Sequence, residues 1–320
     1  MRFVLPHVNL TIRNRILEIE GIPHTYEARD VFSVLQNRPF DFWDTFWESP
    51  RSFQELVLAI TPRTVGFRYG VRFMTLENRL LMTLIWLRQY PTYSMLSQYF
   101  GISVPTVYTI IKKMWVILWE EVARTIVWPD RNTWHRRNGK WPEMPNVLGC
   151  IDGTSHEILV PQTEPQEEFY SGHRKFHCIH TQVVIDNEKN ICHIHSGFLG
   201  HDNDAFAYQQ MKRIGPGLDL DFPANGFILA DSIYPNTRPL VTPYKANEIA
   251  RLPRNEKRRK RKFNKLHKKR RIFVEHVIKE LKTFRVIGAI YRHTRWELSC
   301  IVETCAGLAK RRAEFINNLD

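Results

Sequence analysis

The spacing of apolar positions changes near residue 147, and the two parts of the chain predict different architectures. Before that point apolar side chains recur three and four residues apart, the spacing of one helix face. In residues 39–62 the stripe is Phe53, Leu56, Val57 and Ile60, with Ser49 or Ser52 placed to cap the helix that carries it. The nearby aromatics Phe42, Trp43, Phe46 and Trp47 are expected in the core. Residues 76–88 predict an apolar helix, and residues 93–100 a short one ending at Gly101. Ser103 then caps a further helix running to about Glu121, with Pro105 tolerated in its first turn. Helix, glycine-containing turn and helix is the order of a helix-turn-helix. In that motif the early residues of the second helix read base edges in the major groove. Here these are Thr106, Tyr108 and Thr109, with Lys112 and Lys113 placed for phosphates; a plain helical hairpin carries the same local pattern. Residues 1–38 have weak periodicity and receive no assignment, which leaves a helical domain over 39–130.

From Val147 the period shortens. The run NVLGCID ends a short apolar strand at Asp152, and GFILAD ends another at Asp231. Residues 176–186 and 190–198 predict two strands joined by a hairpin turn at 187–189. Helices are expected at 202–213, 271–283 and 296–315, with a strand-like segment at 284–291. Strands and helices in this order predict an α/β domain with a mixed sheet over 145–315.

Composition narrows the class. Hydrophobic residues make up 43% and charged residues 25%, ordinary for a soluble globular protein. No apolar stretch reaches the roughly 20 residues that span a bilayer, and the first residues lack the pattern of a secretory signal, so no membrane role is expected. Five cysteines without a Cys-x-x-Cys spacing point to reduced thiols. The six histidines between His173 and His201 fit no standard zinc-finger spacing. The net charge of +13 is concentrated: residues 251–271 hold thirteen Lys or Arg against a single acid, Glu256. Such a block is a solvated segment, an import signal or a contact surface for nucleic-acid phosphates, including Lys257, Arg258, Arg259, Lys260, Arg261 and Lys262.

Metal-assisted cutting of DNA needs a few carboxylates on neighbouring elements, because hard divalent cations take oxygen ligands and leave room for phosphate and water. Asp152 and Asp231, each after a short apolar run, meet that description. Asp186 is expected to serve the hairpin turn, and Asp219 and Asp221 lack a buried strand before them. Glu275 is the third candidate, on one helix face with Arg271, Ile278 and Lys282; an intrahelical ion pair is its simpler role. Glu280 lies on a different face.

These residues carry a family resemblance. GCIDGT around Asp152 resembles the first catalytic motif of the PIF/Harbinger transposases and the nucleases derived from them, and ILADSIYP around Asp231 resembles the second. His177 and Gln182 in RKFHCIHTQVV, Gly200 and Asp204 in GHDNDAFAY, and the TPY at 242–244 are similar to intervening motifs. Asn264, His267, Arg271, Glu275, Leu281 and Lys282 fall in matching places of the third. The resemblance spans roughly residues 145–310, and the helix-turn-helix is similar to the domain that precedes it in such transposases. Two positions depart from the pattern: Lys279 and Ile233 stand where glycine is usual.

The resemblance implies an RNase H-like catalytic domain preceded by an all-α helix-turn-helix domain, with residues 251–271 as a basic insertion. It implies two Mg²⁺ or Mn²⁺ ions held by Asp152, Asp231 and Glu275. Water would attack phosphates at transposon ends, and the freed 3′-OH would attack target DNA. His177, Asp204, His267, Arg271 and Lys282 are expected to contact phosphate or support the metal ligands. DNA, a Myb-like partner protein and a homodimer or higher oligomer are the expected partners, and the nucleus the expected location. The alternative is a domesticated DNA-binding protein that no longer cuts.

Overall fold

The computed structural model describes residues 26–65 and 74–317, so most of the unassigned segment 1–38 lies outside it. The helical part comprises α1 (Val31–Leu35), α2 (Pro39–Phe46), α3 (Pro50–Ile60), α4 (Leu76–Gln89), α5 (Tyr93–Phe100), α6 (Val104–Val122) and α7 (Arg131–Arg137). Local chemistry sets their ends. Ser49 caps α3 by accepting from the Ser52 N–H, and Thr75, Thr92 and Ser103 do the same for α4, α5 and α6. Gly101 ends α5 in the left-handed conformation at φ 65°, where an added Cβ would also collide with the Glu27 carbonyl. The chain there bends by 102°, within the range of a helix-turn-helix. Among the described residues no single helix is long and apolar enough to cross a membrane.

The sheet is mixed. Its strands are β1 (Val147–Glu157), β2 (Tyr170–Ser171, after the single turn α8, Gln166–Phe169), β3 (Phe176–Asp186) and β4 (Ile191–Leu199). After α9 (Asp204–Gln210) and a separate small pair, β5 (Ile214–Gly215) and β6 (Leu220–Asp221), come β7 (Phe227–Leu229) and β8 (Leu240–Val241). The order across the main sheet is β4–β3–β1–β7–β8, with β2 adding to the start of β3 beside β4. β4, β3 and β1 pair antiparallel, whereas β1, β7 and β8 run parallel. Alternation buries both faces. Cys150, Val183, Ile185 and Leu229 join one apolar cluster, while Ile151, Val184 and Ile228 join a second built around Trp134 and Phe222.

Four short helices, α10 (Ala246–Ala250) and α12 (Arg285–Gly288) among them, and two long ones, α11 (Arg254–Leu281) and α13 (Leu298–Asn317), follow or flank these strands. α11 crosses the first face, where Val274 and Leu281 are buried and the Cys150 thiol donates to the Arg270 carbonyl at 3.6 Å. α13 packs on both β4 and α6. Glu297, in the turn just before it, meets Lys112 at 2.5 Å, and its Glu303 accepts from the Trp119 indole at 2.7 Å. The helical and sheet parts therefore share one continuous apolar core.

Three local expectations change. β1 does not stop at Asp152 but continues to Glu157, because β3 pairs with it from Gly149 to Glu157. The basic block does not stand ahead of a helix: from Arg254 on it forms the first part of the 28-residue α11. No Gly or Pro interrupts residues 254–281. Like-charge repulsion along a helix is worth only a few tenths of a kcal/mol per pair, less than the tertiary anchors offset. Those anchors include Lys260 over the Tyr244 ring at 4.3 Å and Arg270 over Trp141 at 5.0 Å. The segment 284–291 holds the short helix α12 at 285–288 rather than a strand, since a helical turn buries Phe284, Val286 and Ile287 together; Tyr291 beyond it bridges to Ile158.

Asn264 clamps α11 to the loop after β8, accepting from the Tyr244 N–H at 3.0 Å and donating to its carbonyl at 2.8 Å. Asn264→Ala is expected to cost about 1–2 kcal/mol, the net worth of two such bonds. Hydrogen exchange should then quicken at the Tyr244 amide before it does in β1; unchanged exchange there would refute the clamp.

Candidate active site

The parallel register pairs Cys150 with Leu229, so Asp152 and Asp231 each stand two residues beyond the last β1–β7 partners. β7 ends there while β1 runs on, leaving an open edge on β1. A cleft of 840 Å³ lies along it, lined by Asp152, Asp204, Asp231 and Glu275 and, further along, by Arg174, Lys279 and Lys282. One region is acidic and the other basic, with Arg271 between the acids.

Arg271 links two elements. Its Nη1 donates to Asp152 Oδ2 at 3.0 Å and its Nη2 pairs with Glu275 one helical turn away. The intrahelical pair expected for Glu275 thus exists, and it also carries Glu275 to the cleft. Glu280 instead pairs with Arg312 at 2.9 Å, and Asp186 is consumed by its turn, accepting from the Glu188 and Asn190 amides and from Arg137. Asp221 pairs with Arg131.

Burial pushes the Asp152 carboxyl up to about 6; Arg271 opposes the rise and Asp204 adds to it. The folded form therefore takes up the Asp152 proton at higher pH than the unfolded chain does. Stability from this group is lost as pH rises from about 4 to about 6, and the loss stays constant above. In EDTA, Asp152→Asn is expected to unfold at higher urea than wild type at pH 7, with the gain gone near pH 4. Equal midpoints at pH 7 would contradict the burial argument.

The other expected residues are distributed as follows. Asp204, the first residue of α9, accepts from the Gln182 amide at 3.0 Å. Lys282 donates to the Ser155 carbonyl at 2.9 Å at the basic end of the cleft. His267 is buried, bonded through Nε2 to the Val241 carbonyl at 3.1 Å, and so ties α11 to β8. His177 meets the Tyr170 ring edge-on at 5.3 Å, whereas His180 is the strand histidine that lines the cleft, bonded to Ser155 and the Gly200 carbonyl. On α6, Tyr108 and Thr109 are exposed, Thr106 bonds the Ser103 cap at 2.7 Å, and Lys112 is engaged by Glu297. Lys113 is exposed beside them. Arg258, Arg259, Arg261 and Lys262 are exposed along α11, and Lys257 and Lys260 are half-buried. Sequence reasoning missed His180, Arg174 and Lys279; the period-two alternation that places His180 with Gln182 was the available signal.

A mixed α/β domain with carboxylates gathered at the edge of its central strands, joined to a helix-turn-helix, defines a class of DNA-processing proteins. The family model "DDE superfamily endonuclease" matches residues 151–310, half of the chain, and "Helix-turn-helix of DDE superfamily endonuclease" matches residues 72–122. The chain belongs to the DDE superfamily endonucleases. It is 28% identical over 233 residues to "Probable transposase for insertion sequence element IS702" of Microchaete diplosiphon, covering 70% of this chain and 77% of that one. It is 24% identical over 247 residues to "Protein ALP1-like" of Arabidopsis thaliana, covering 72% of this chain and 59% of that protein. No solved structure matches.

Proposed function

We infer that this chain is a transposase-type nuclease of the PIF/Harbinger kind that cuts DNA phosphodiester bonds and joins the freed 3′-OH to target DNA. The observation that carries the reading is the cleft itself, where Asp152, Asp231 and Glu275 line one region and cations the next. The β4–β3–β1–β7–β8 order, with its parallel second half, supports an RNase H-like domain.

Family members generally use divalent metal ions, and the donor set suits them: the acids at the cleft are carboxylates, the oxygen ligands that hard cations take. Among the described residues no three candidate ligands converge as they stand. Arg271 supplies the positive charge between Asp152 and Glu275. Asp152, Asp231 and Glu275 would hold the ions once Arg271 turns toward a phosphate. When bound, such ions activate the attacking oxygen and stabilise the leaving one.

This chain's own residues bind and orient DNA. Lys279, Lys282 and Arg174 offer cations to the phosphates beside the scissile one. The exposed cations of α11 would lead the duplex toward Glu275: Arg258 lies 17 residues away, about 26 Å at about 1.5 Å per residue. Tyr108, Thr109 and Lys113 present the outward face of the second helix of the helix-turn-helix. We extend the reading to nuclear import through the basic segment, to pairing of two chains on two DNA ends, and to a Myb-like partner.

The test is nicking of a labelled duplex by the purified chain in Mn²⁺, with EDTA as control. Cutting that needs the ion supports the proposal; duplex bound but never cut would favour a DNA-binding protein that has lost the reaction.

A further inference from the structure

The two faces of the sheet contribute to the cleft differently. On the α11 face Asp152 is engaged by Arg271. On the opposite face lies a chain of polar groups that the cutting reaction described above does not use. The Tyr234 hydroxyl donates to Gln182 Oε1 at 2.5 Å, and the Gln182 amide donates to Asp204 Oδ1 at 3.0 Å. Gln182 is fully buried and Tyr234 nearly so. Tyr234 follows Asp231 by three residues, Gln182 pairs with Gly153 across β1 and β3, and Asp204 opens α9.

The orientation of this chain is determined by chemistry. Asp204 Oδ1 accepts from the side-chain amide, which selects the Gln182 rotamer whose NH₂ faces it. The Gln182 carbonyl is then turned to the Tyr234 hydroxyl, which has a proton to give. Fully paired buried polar groups of this kind rigidify what they join. Gly153 completes the arrangement: an added Cβ would lie 1.8 Å from Asp204 Oδ1, so Asp204 occupies the space a side chain there would fill. Its carboxylate thereby reaches the edge of β1 next to Asp152.

We propose that Tyr234 and Gln182 are positioning residues for the cutting reaction, holding Asp204 against Gly153 so that the acidic edge of the cleft keeps one arrangement. The proposal rests on the nuclease reading above. Outer partners of this kind, when removed, cost about 10–100-fold in metal affinity or activity.

The experiment compares wild type, Tyr234→Phe and the volume-conserving Gln182→Met. Nicking is measured in Mn²⁺ at varied DNA concentration, and Mn²⁺ binding without DNA is followed by electron paramagnetic resonance. The expected result is a kcat lowered about 10–100-fold in Gln182→Met and less in Tyr234→Phe. KM for DNA should stay within about twofold, since the phosphate contacts lie elsewhere, and both variants should bind Mn²⁺ more weakly. If Gln182→Met does not fold, Tyr234→Phe decides. Folded variants with wild-type kcat and Mn²⁺ affinity would overturn the positioning role, as would a kcat that falls only with the folded fraction. A wild type that neither binds Mn²⁺ nor cuts would overturn the nuclease reading itself.

Discussion

Asp231→Asn is expected to lower Mn²⁺-dependent nicking by about 10³-fold or more while leaving the fold and DNA binding in place. The substitution is isosteric, and the retained carbonyl oxygen can still accept from the Ser232 amide, which meets Asp231 Oδ1 at 2.6 Å. What is lost is the negative charge beside Asp152. Charge stabilisation by a bound divalent ion is worth several kcal/mol in such reactions, and each 1.36 kcal/mol, about one factor of ten, compounds. Asp231 does not share the Asp152–Arg271–Glu275 linkage, so its removal leaves those ion pairs standing. Gel-based nicking and a parallel binding assay separate chemistry from affinity. Cutting at the wild-type rate by the Asn variant would remove Asp231 from the mechanism.

The second large effect is electrostatic. Exchanging Arg258, Arg259, Arg261, Lys262 and Lys265 for Gln should weaken binding to random duplex by about 10²–10³-fold near 0.1 M salt. All five side chains are exposed on α11. Each phosphate contact contributes about 0.9 to the slope of log K against log salt, so five lost contacts flatten that slope by about four to five. Glutamine has nearly the helix propensity of Arg and Lys, and the change removes like-charge neighbours, so α11 itself should persist. Fluorescence anisotropy from 50 to 200 mM salt, roughly the range over which counterion release is steepest, reads the effect directly. An unchanged slope would show that α11 does not track the DNA backbone.

Much of the helical part was legible because its signals are local. Ser103, Gly101 and Pro105 act within one turn of where they stand, and α5 begins and ends where the spacing places it. Asp186 was recognisable as a turn residue for the same reason: its partners are two and four residues away. The length of β1 was not legible, since only the partner strand β3 extends it past Asp152. Nor was the continuity of α11, where the charge block suggested a solvated segment and distant aromatic and amide anchors hold a helix instead.

The candidate site divides the same way. The sequence by itself determined that two apolar runs each end near an aspartate, that an acid follows on a cationic helix, and that the local net charge is strongly positive. These are properties of residue order and period. Only the tertiary structure decided that Asp152 and Asp231 stand side by side, because that depends on the parallel register of Cys150 with Leu229. It alone showed Glu275 lining the cleft beside Arg271 while Glu280 pairs with Arg312. It alone joined Tyr234, Gln182 and Asp204 across three elements. Strand register and helix rotation are set by packing among segments far apart in the chain, and no local pattern encodes them.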